Sequence, residues 1–418
     1  MNLATKTLIG IVLGIITGLG LSLYAPDVYN PLNNYVLDPI GSLFVKAIKM
    51  IVVPLIFTAI VTSIAGTGSL KKLGQIGSRT MSLFVITTVI ACTIGILTTM
   101  AVGPGSNVTI PEKVDVASNT QFTPQIPTVK DMIVNIMPSN AIGAMAQGDL
   151  LQVLTFSIFF GVAMTILGDR VALLRTVLNQ LNELMMKLVD ILMKAIPFAA
   201  FALVAKAMGT AGVDLIGAMF MYVIAVLIAI LIHVFITFGT ILTVMSKRNA
   251  IQFLRKMTPA IGTAFATSSS AATLPVTTKC CENDLGISKN VSSFVLPLGM
   301  TVNMNGTSLH HGVAAVFVAQ LSGIELGLSA YLTVIFISLL ASIGAPAIPG
   351  GGFVSLSMIF LAVGLPIDGI GIAIILGLFR LVDMILTPIN VLGDAVCASV
   401  IDKRLNHAHN VKDQSAVS

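Results

Sequence analysis

Apolar runs dominate the chain, over residues 7–25, 38–68, 80–103, 129–168, 176–207, 211–246, 251–281, 287–322, 328–364 and 368–402. A bilayer span needs about 20 predominantly apolar residues, so the longer runs must tilt or break. Pro54, Pro138, Pro197 and Pro388 each remove a backbone donor inside such a run and mark candidate breaks. Two other interruptions are built from small and polar residues: Thr267-Ser268-Ser269-Ser270, and Ala345-Pro346-Ala347-Ile348-Pro349-Gly350-Gly351-Gly352. Each lies between apolar arms too short to span singly, so each predicts the tip of a helical hairpin that enters the membrane and turns back. Irregular backbone survives at membrane depth only where protein or water satisfies its amides and carbonyls, so such tips mark a ligand pathway. The pattern predicts an all-α polytopic membrane protein.

The second half of the chain repeats itself. A hairpin is followed by a long segment interrupted at Asn303–Thr307, and a second hairpin is followed by another long segment with polar interruptions. The first hairpin starts on the predicted cytoplasmic side and the second on the outer side. Inverted halves of this kind belong to secondary transporters that bind cargo near the bilayer midplane.

Composition agrees: 56% of the 418 residues are hydrophobic and 10% charged, with a mean hydropathy of +0.97, which excludes a soluble domain. The net charge of +5 reads as topology rather than as a nucleic-acid footprint. Lys71, Lys72, Arg79, Arg170, Arg175, Lys247, Arg248, Arg255, Lys256, Lys403 and Arg404 fall in alternate loops, whereas Asp27, Glu112, Asp115, Asp214 and Glu325 fall in the others. That alternation predicts cytoplasmic termini. The polar stretch Pro104–Pro127 is the one long loop. Cys92, Cys280, Cys281 and Cys397 form neither a disulfide framework nor a zinc pattern, and no nucleophile-and-base motif suggests an enzyme.

The intramembrane polar residues carry the candidate chemistry. Ser268, Ser269 and Ser270 offer hydroxyls and free amides at a helix N-terminus, a seat for a carboxylate; packing by small residues is the alternative. Asn303, Asn305 and Thr307 surround a helix break whose oxygens suit an alkali cation, or simply cap a kink. Asp383, Asn390 and Asp394 lie near one face of the last segment, and carboxylates inside a membrane usually bind an ion, a proton or an amine. Asp383 has a structural alternative in pairing with Arg380, three residues earlier. Pro388 predicts a loosened helix with free carbonyls near Met384 and Leu386. Lys46 and Lys49 read as snorkelling side chains.

Several of these stretches form a recognisable series: Thr267–Ser270 with Thr273-Leu274-Pro275-Val276-Thr277, Leu296-Pro297-Leu298-Gly299, Asn303-Met304-Asn305-Gly306-Thr307, Ile343-Gly344 with Pro349-Gly350, Val363-Gly364-Leu365-Pro366, and Asn390-Val391-Leu392-Gly393-Asp394. The chain thereby resembles the dicarboxylate/amino acid:cation symporters, the family of prokaryotic glutamate and aspartate transporters and animal excitatory amino-acid transporters. The resemblance implies eight transmembrane helices plus two re-entrant hairpins, in a homotrimer embedded in lipid at a plasma membrane, the inner membrane of a bacterium. It implies scaffold helices at 1–79 and 129–207, a transport-domain helix at 80–103, an extracellular loop at 104–128, a sliding transport core at 208–403 and a cytoplasmic tail at 404–418.

By the same resemblance Ser268, Ser269, Ser270, Thr307, Pro349, Gly350, Asp383, Leu386, Thr387 and Asn390 border the substrate. The serines and Asn390 would hold its main carboxylate and Asp383 its amino group, with the Pro349–Gly350 region as the gate. Thr87, Thr88, Asn303, Asn305, Asn390 and Asp394 would bind sodium, as transported cargo rather than a cofactor. Three departures qualify this. Leu386 stands where acidic-substrate members carry arginine, which favours small neutral amino acids over glutamate, aspartate or C4-dicarboxylates. Asn305 replaces an acid and Phe84 a tyrosine at one sodium site. His311 stands where proton-carrying members have glutamate, so it is a proton-coupling candidate, with hydrogen-bonded packing as the alternative for His310 and His311. A channel or receptor is the reading from another class.

Overall fold

The computed structural model describes residues 3–65, 75–106, 137–212, 214–344, 351–366 and 370–416, and every regular element among them is helical. In chain order the main helices are α1 (Leu3–Tyr24), α2 (Asp38–Ala65), α3 (Gln75–Val102), α4 (Leu150–Leu167), α5 (Ala172–Met193), α6 (Ile196–Ala211) and α7 (Asp214–Ile232), which continues through wide turns to Met245. They are followed by α8 (Ala250–Thr267), α9 (Ser270–Lys279), α10 (Lys289–Val302), α11 (Asn305–Leu321), α12 (Leu328–Gly344), α13 (Gly351–Ala362) and α14 (Ile370–Ala416). Among the described residues five stretches are long and apolar enough to cross a membrane: Thr5–Tyr24, Gly77–Val102, Thr155–Met185, Leu215–Met245 and Ile374–Leu405. The chain is an integral membrane protein.

The breaks only partly follow the prolines. Pro197 opens α6, as its pre-set φ allows, and the 176–207 run is divided at Lys194–Ala195. The 129–168 run is also divided, because Gly148 adopts a left-handed conformation (φ 72°) after a short helix, Ala141–Gln147, and Asp149 then caps α4. Pro54 and Pro388, expected to break their segments, instead lie inside continuous α2 and α14. A proline removes one rung of the ladder, and neighbouring helices in a membrane compensate for it. The second hairpin tip from Ala345 to Gly350, the sequence from 107 onward in the long polar loop, and Lys71 and Lys72 lie outside the described residues.

The arms of the first hairpin are unequal: α8 has 18 residues, whereas α9 has 10, about 15 Å of helix and half the hydrocarbon thickness, before it continues through a wide turn to Asp284. The end of that arm away from the serines is fastened by cations that the charge pattern assigned to topology alone. Arg248 donates to the Leu285 carbonyl and Lys256 to the Asp284 carbonyl, both at 2.6 Å. Asp402 on α14 accepts from the Ser288 amide at 3.0 Å.

Two groupings follow from the packing. α2 packs on α4, α5 and α6, and α1 runs along α6. α11 is enclosed by α3, α7, α12 and α14, and every residue from Asn305 to Ala319 is buried. α14 also touches α1 and α6, where Gly377 meets Val204 and Ile11. Glycine makes two of these contacts backbone-close, as small residues do between membrane helices. On α1, Gly10, Gly14 and Gly18 recur every four residues and press on the carbonyls of Pro197, Phe201 and Ala205 in α6. Between α3 and α11, Gly95 meets the Leu309 carbonyl and Gly312 the Cys92 carbonyl.

A methyl carbon added at Gly14 would lie 2.8 Å from the Phe201 carbonyl oxygen, whereas at Gly20 it would meet nothing within 4 Å. Gly14→Val is therefore expected to destabilise the protein by about 1–3 kcal/mol, the usual penalty of overpacking. Thermal melts of the purified protein in detergent check this, with Gly20→Val expected to leave the midpoint nearly unchanged.

Candidate functional site

The first hairpin turns as its serines require. α8 ends when Ser268 takes a left-handed conformation (φ 51°), its amide bonded to the Ala264 carbonyl at 2.8 Å. Ser269 is extended and caps α9, its Oγ accepting from the Ala272 amide at 3.1 Å. Thr267 Oγ1 accepts from the Ser269 amide at 3.2 Å, and Thr273 Oγ1 donates to the Ser269 carbonyl at 2.8 Å. The tip is thus held by its own side chains, with Ser268, Ser269 and Ser270 all buried. Ser268 Oγ has no hydrogen-bond partner among the described residues. A buried hydroxyl beside helix N-terminal amides is complementary to an anion.

Across from it, α10 stops at Val302 and α11 starts at Asn305, with Asn303 and Met304 outside helical geometry. The first amides of α11 are satisfied from another helix. Asn390 Oδ1 on α14 accepts from the Gly306 amide at 2.7 Å and the Thr307 amide at 3.3 Å. Its Nδ2 faces Thr307 Oγ1 at 3.3 Å and the Met304 sulfur at 4.0 Å. The acceptor half of the Asn390 amide is therefore committed to the fold, and its donor half donates to Thr307 Oγ1 and to the weak sulfur acceptor of Met304, which a better acceptor such as a carboxylate could replace.

Below this break four of the six predicted cation-site residues, Thr87, Asn303, Asn305 and Asp394, form one hydrogen-bonded chain, which Thr88 and Asn390 do not join. Asn303 Nδ2 donates to Asp394 Oδ1 at 2.9 Å, while Asn303 Oδ1 accepts from Asn305 Nδ2 at 2.8 Å and from Thr87 Oγ1 at 3.2 Å. Thr87 shares its single proton between that oxygen and the Leu83 and Phe84 carbonyls of α3. All four side chains are buried. Asp394 comes this close only because Gly299, on α10, has no side chain: a Cβ there would strike its carboxylate. Gly393 does the same for the two asparagines. Asn305 Oδ1 and Thr88 Oγ1 are buried without a hydrogen-bond partner. Uncharged oxygens beside one carboxylate are ligands for a hard cation, and no cluster of His, Cys, Asp and Glu suited to a softer metal occurs among the described residues.

On the same helix, Arg380 and Asp383 form an ion pair at 3.7 Å, each side chain 14% exposed. This joins Asp383 to the base that the sequence offered as its structural partner. Thr387 Oγ1 donates to the Asp383 carbonyl at 2.7 Å. Leu386 is buried, its own carbonyl pressed against Gly306. His311 lies on α11 between α12 and α13, Nδ1 3.0 Å from Ser338 Oγ on α12 and Nε2 2.7 Å from Ser355 Oγ on α13. His310 bonds instead to the Tyr222 hydroxyl of α7. Pro349 and Gly350 lie outside the described residues.

Residues 3–404 match the model of the sodium:dicarboxylate symporter family. The chain belongs to this family. The symporter is 32% identical to a proton/sodium-glutamate symport protein of Geobacillus stearothermophilus, over 96% of this chain and 94% of that one. It is 30% identical to the human excitatory amino acid transporter 2, over 96% and 78%. It is 31% identical to a C4-dicarboxylate transport protein of Bacillus subtilis (strain 168), over 100% and 96%.

Residue types alone did not single out several contributors in the symporter. Ser338 and Ser355 sit in ordinary apolar arms, and only their burial opposite His311 distinguishes them. Gly299 and Gly393 were within noted motifs, but their reason, the close approach of Asp394 and the asparagines, is three-dimensional. The position of Asn390 as the cap of α11 has no local signal.

A Cβ at Gly393 would collide with Asn305 Nδ2 and lie 3.1 Å from Asn303 Nδ2, whereas Gly262 on α8 has open space. Gly393→Ala is expected to displace the amide chain and cost about 1–3 kcal/mol of stability. Gly262→Ala should be neutral or mildly stabilising in the same detergent melts.

Proposed function

We propose that this symporter imports a small neutral amino acid together with sodium, with protons contributing through His311. The observation that carries the substrate class is Leu386: an isobutyl group, buried, at the place where acidic-substrate members hold a guanidinium. It offers nothing to neutralise a second carboxylate, and burying an unpaired charge is costly. The zwitterion's own groups have complements. The donor half of Asn390, the Ser268 hydroxyl and the amides of α9 receive the carboxylate, Asp383 the ammonium, and Thr307 and Thr387 border them. Thr87, Thr88, Asn303, Asn305 and Asp394 hold sodium, with Asn305 supplying an oxygen but no charge; Asn390 joins them through its backbone, since its side-chain oxygen is engaged.

In this reading the scaffold comprises residues 1–79 and 129–207, and the transport part residues 80–103 and 208–403. Eight transmembrane helices and two re-entrant hairpins then work in a homotrimer, the transport part sliding as an elevator, with Pro349 and Gly350 in the gate. The packing of α3, α7, α12 and α14 about α11, and of α2 on α4, α5 and α6 with α1 along α6, supports that division. A second reading, transport of glutamate, aspartate or C4-dicarboxylates, has support from what the relatives' names state and from Arg380 nearby on α14. A channel or receptor would show no concentrative uptake in proteoliposomes.

Competition binding across an amino-acid panel decides between the first two. Alanine or serine is expected to compete better than aspartate, and Leu386→Arg to reverse that order by about tenfold or more, the worth of one charge-assisted hydrogen bond. Preference for aspartate in the unmodified protein, with neutral amino acids inert, would overturn the substrate assignment.

Asp394→Asn is expected to raise the sodium concentration needed for half-maximal substrate binding, and an unchanged sodium titration removes Asp394 from the cation site. Separately imposed sodium and proton gradients test His311. Uptake driven by the proton gradient should disappear in His311→Gln while sodium-driven uptake persists; identical pH dependence in both proteins returns His311 to packing.

A further inference from the structure

A hydroxyl inside a membrane helix has a default partner, the carbonyl three or four residues before it, because no water competes for its proton. Thr93, Thr99 and Ser399 each donate to the carbonyl four residues back, at 2.8–2.9 Å. Thr87 donates to the Leu83 and Phe84 carbonyls in the same way. Thr88 and Ser308 depart from this habit: Thr88 Oγ1 and Ser308 Oγ are buried without a hydrogen-bond partner among the described residues. The Met304 carbonyl, four residues before Ser308, receives the Ser308 amide at 2.9 Å but not its hydroxyl. On α3 and α11 one further buried side-chain oxygen is left in this condition, Asn305 Oδ1.

These three oxygens lie on facing stripes of two helices. α3 and α11 run parallel, since Thr87 bonds to Asn303, 216 residues on, and the Thr99 carbonyl accepts from Gln320, 221 residues on. Thr88 therefore stands beside the first turn of α11. Asn305, Ser308 and Gly312 have the spacing of a single helix face. A Cβ at Gly312 would strike the Cys92 carbonyl of α3, one turn beyond Thr88. The face that carries Asn305 and Ser308 is thus turned to α3, with Ser308 about 4.5 Å further along the helix than Asn305. Asp394 is not among the three; it reaches Asn303 from α14.

We propose that Ser308 is a cation-selecting residue of the symporter, its hydroxyl oxygen joining Thr88 Oγ1 and Asn305 Oδ1 around a sodium ion held between α3 and α11. The proposal rests on the reading that Thr88 and Asn305 hold sodium. Two uncharged oxygens alone make a weak seat, and a third from the next turn of α11 strengthens it. Hydroxyl and amide oxygens are hard ligands without charge, so together they match a monovalent cation better than a divalent one. Coordination also gives a use to hydroxyls that the helices themselves leave idle.

The experiment melts the full-length protein in detergent at increasing sodium chloride, without amino acid and with choline chloride holding the ionic strength constant. Sodium that binds the folded protein raises the midpoint. Ser308→Ala is expected to leave the sodium-free midpoint unchanged or higher, because it removes an unsatisfied buried hydroxyl. It should raise the sodium concentration needed for a given rise in midpoint by about fivefold, the worth of one neutral contact. Ser308→Cys keeps nearly the same volume but replaces a hard oxygen with soft sulfur, so it should reproduce the alanine shift. A normal sodium response in Ser308→Cys beside a weakened one in Ser308→Ala assigns Ser308 to packing and overturns the proposal. A lower sodium-free midpoint in Ser308→Ala with the sodium response intact points to packing or a bound water and overturns it as well. Thr88→Val removes an oxygen at equal size and tests the underlying reading. An unchanged sodium response in Thr88→Val overturns Thr88 as a sodium ligand, and the proposal with it. A weakened response there, with unchanged responses in both Ser308 variants, overturns only the role of Ser308.

Discussion

Inside a bilayer an unpaired backbone amide or carbonyl costs several kcal/mol, because no solvent is present to take it. A helix that stops at membrane depth therefore has to be completed by something else, and here the completions converge on one region. Ser269 closes the start of α9 within its own hairpin. Asn390 closes the start of α11 from a different helix. In the proposed function, the side chains recruited for this purpose are also the polar groups that receive the substrate and the cation. Structural necessity and ligand chemistry thus use the same atoms, and the distinction between them lies in which half of each group remains available.

The amide of Asn303 illustrates how little is left over. Its nitrogen is directed at Asp394 and its oxygen receives Asn305 and Thr87. A network so filled is rigid and intolerant of change in any member, since each deletion leaves a buried partner unsatisfied. The unbonded oxygens of Asn305 and Thr88 are exceptions, and they stand out because the rest is complete. The glycines around them belong to the same design: polar atoms approach within bonding distance only where neighbouring residues occupy no space.

Much of this was legible in the chain, because membrane burial makes polar residues conspicuous. The serine run announced the first hairpin, and Asn303 to Thr307 announced the interruption between α10 and α11. Asp383 and Asp394 stood out as carboxylates in an apolar segment. Proline misled at Pro54 and Pro388, since a missing donor predicts a weak rung but not a broken helix. What could not be read was pairing across distance. The serines that flank His311 come from two other helices, 27 and 44 residues away. Pattern and composition describe faces and breaks, whereas partner choice depends on how the helices are finally arranged.

The cap supplied by Asn390 bears on how the protein is made. Asn390 lies 84 residues beyond Gly306, on the last long helix of the chain, and Asp394 lies 91 residues beyond Asn303. During synthesis α10 and α11 enter the bilayer well before α14 exists. The frayed start of α11 must therefore wait, shielded by water or by the insertion machinery, until the C-terminal helix arrives. The polar centre between α10, α11 and α14 cannot close before the C-terminal helix is made, and a chain cut short before Asn390 would carry the preceding helices without acquiring that centre.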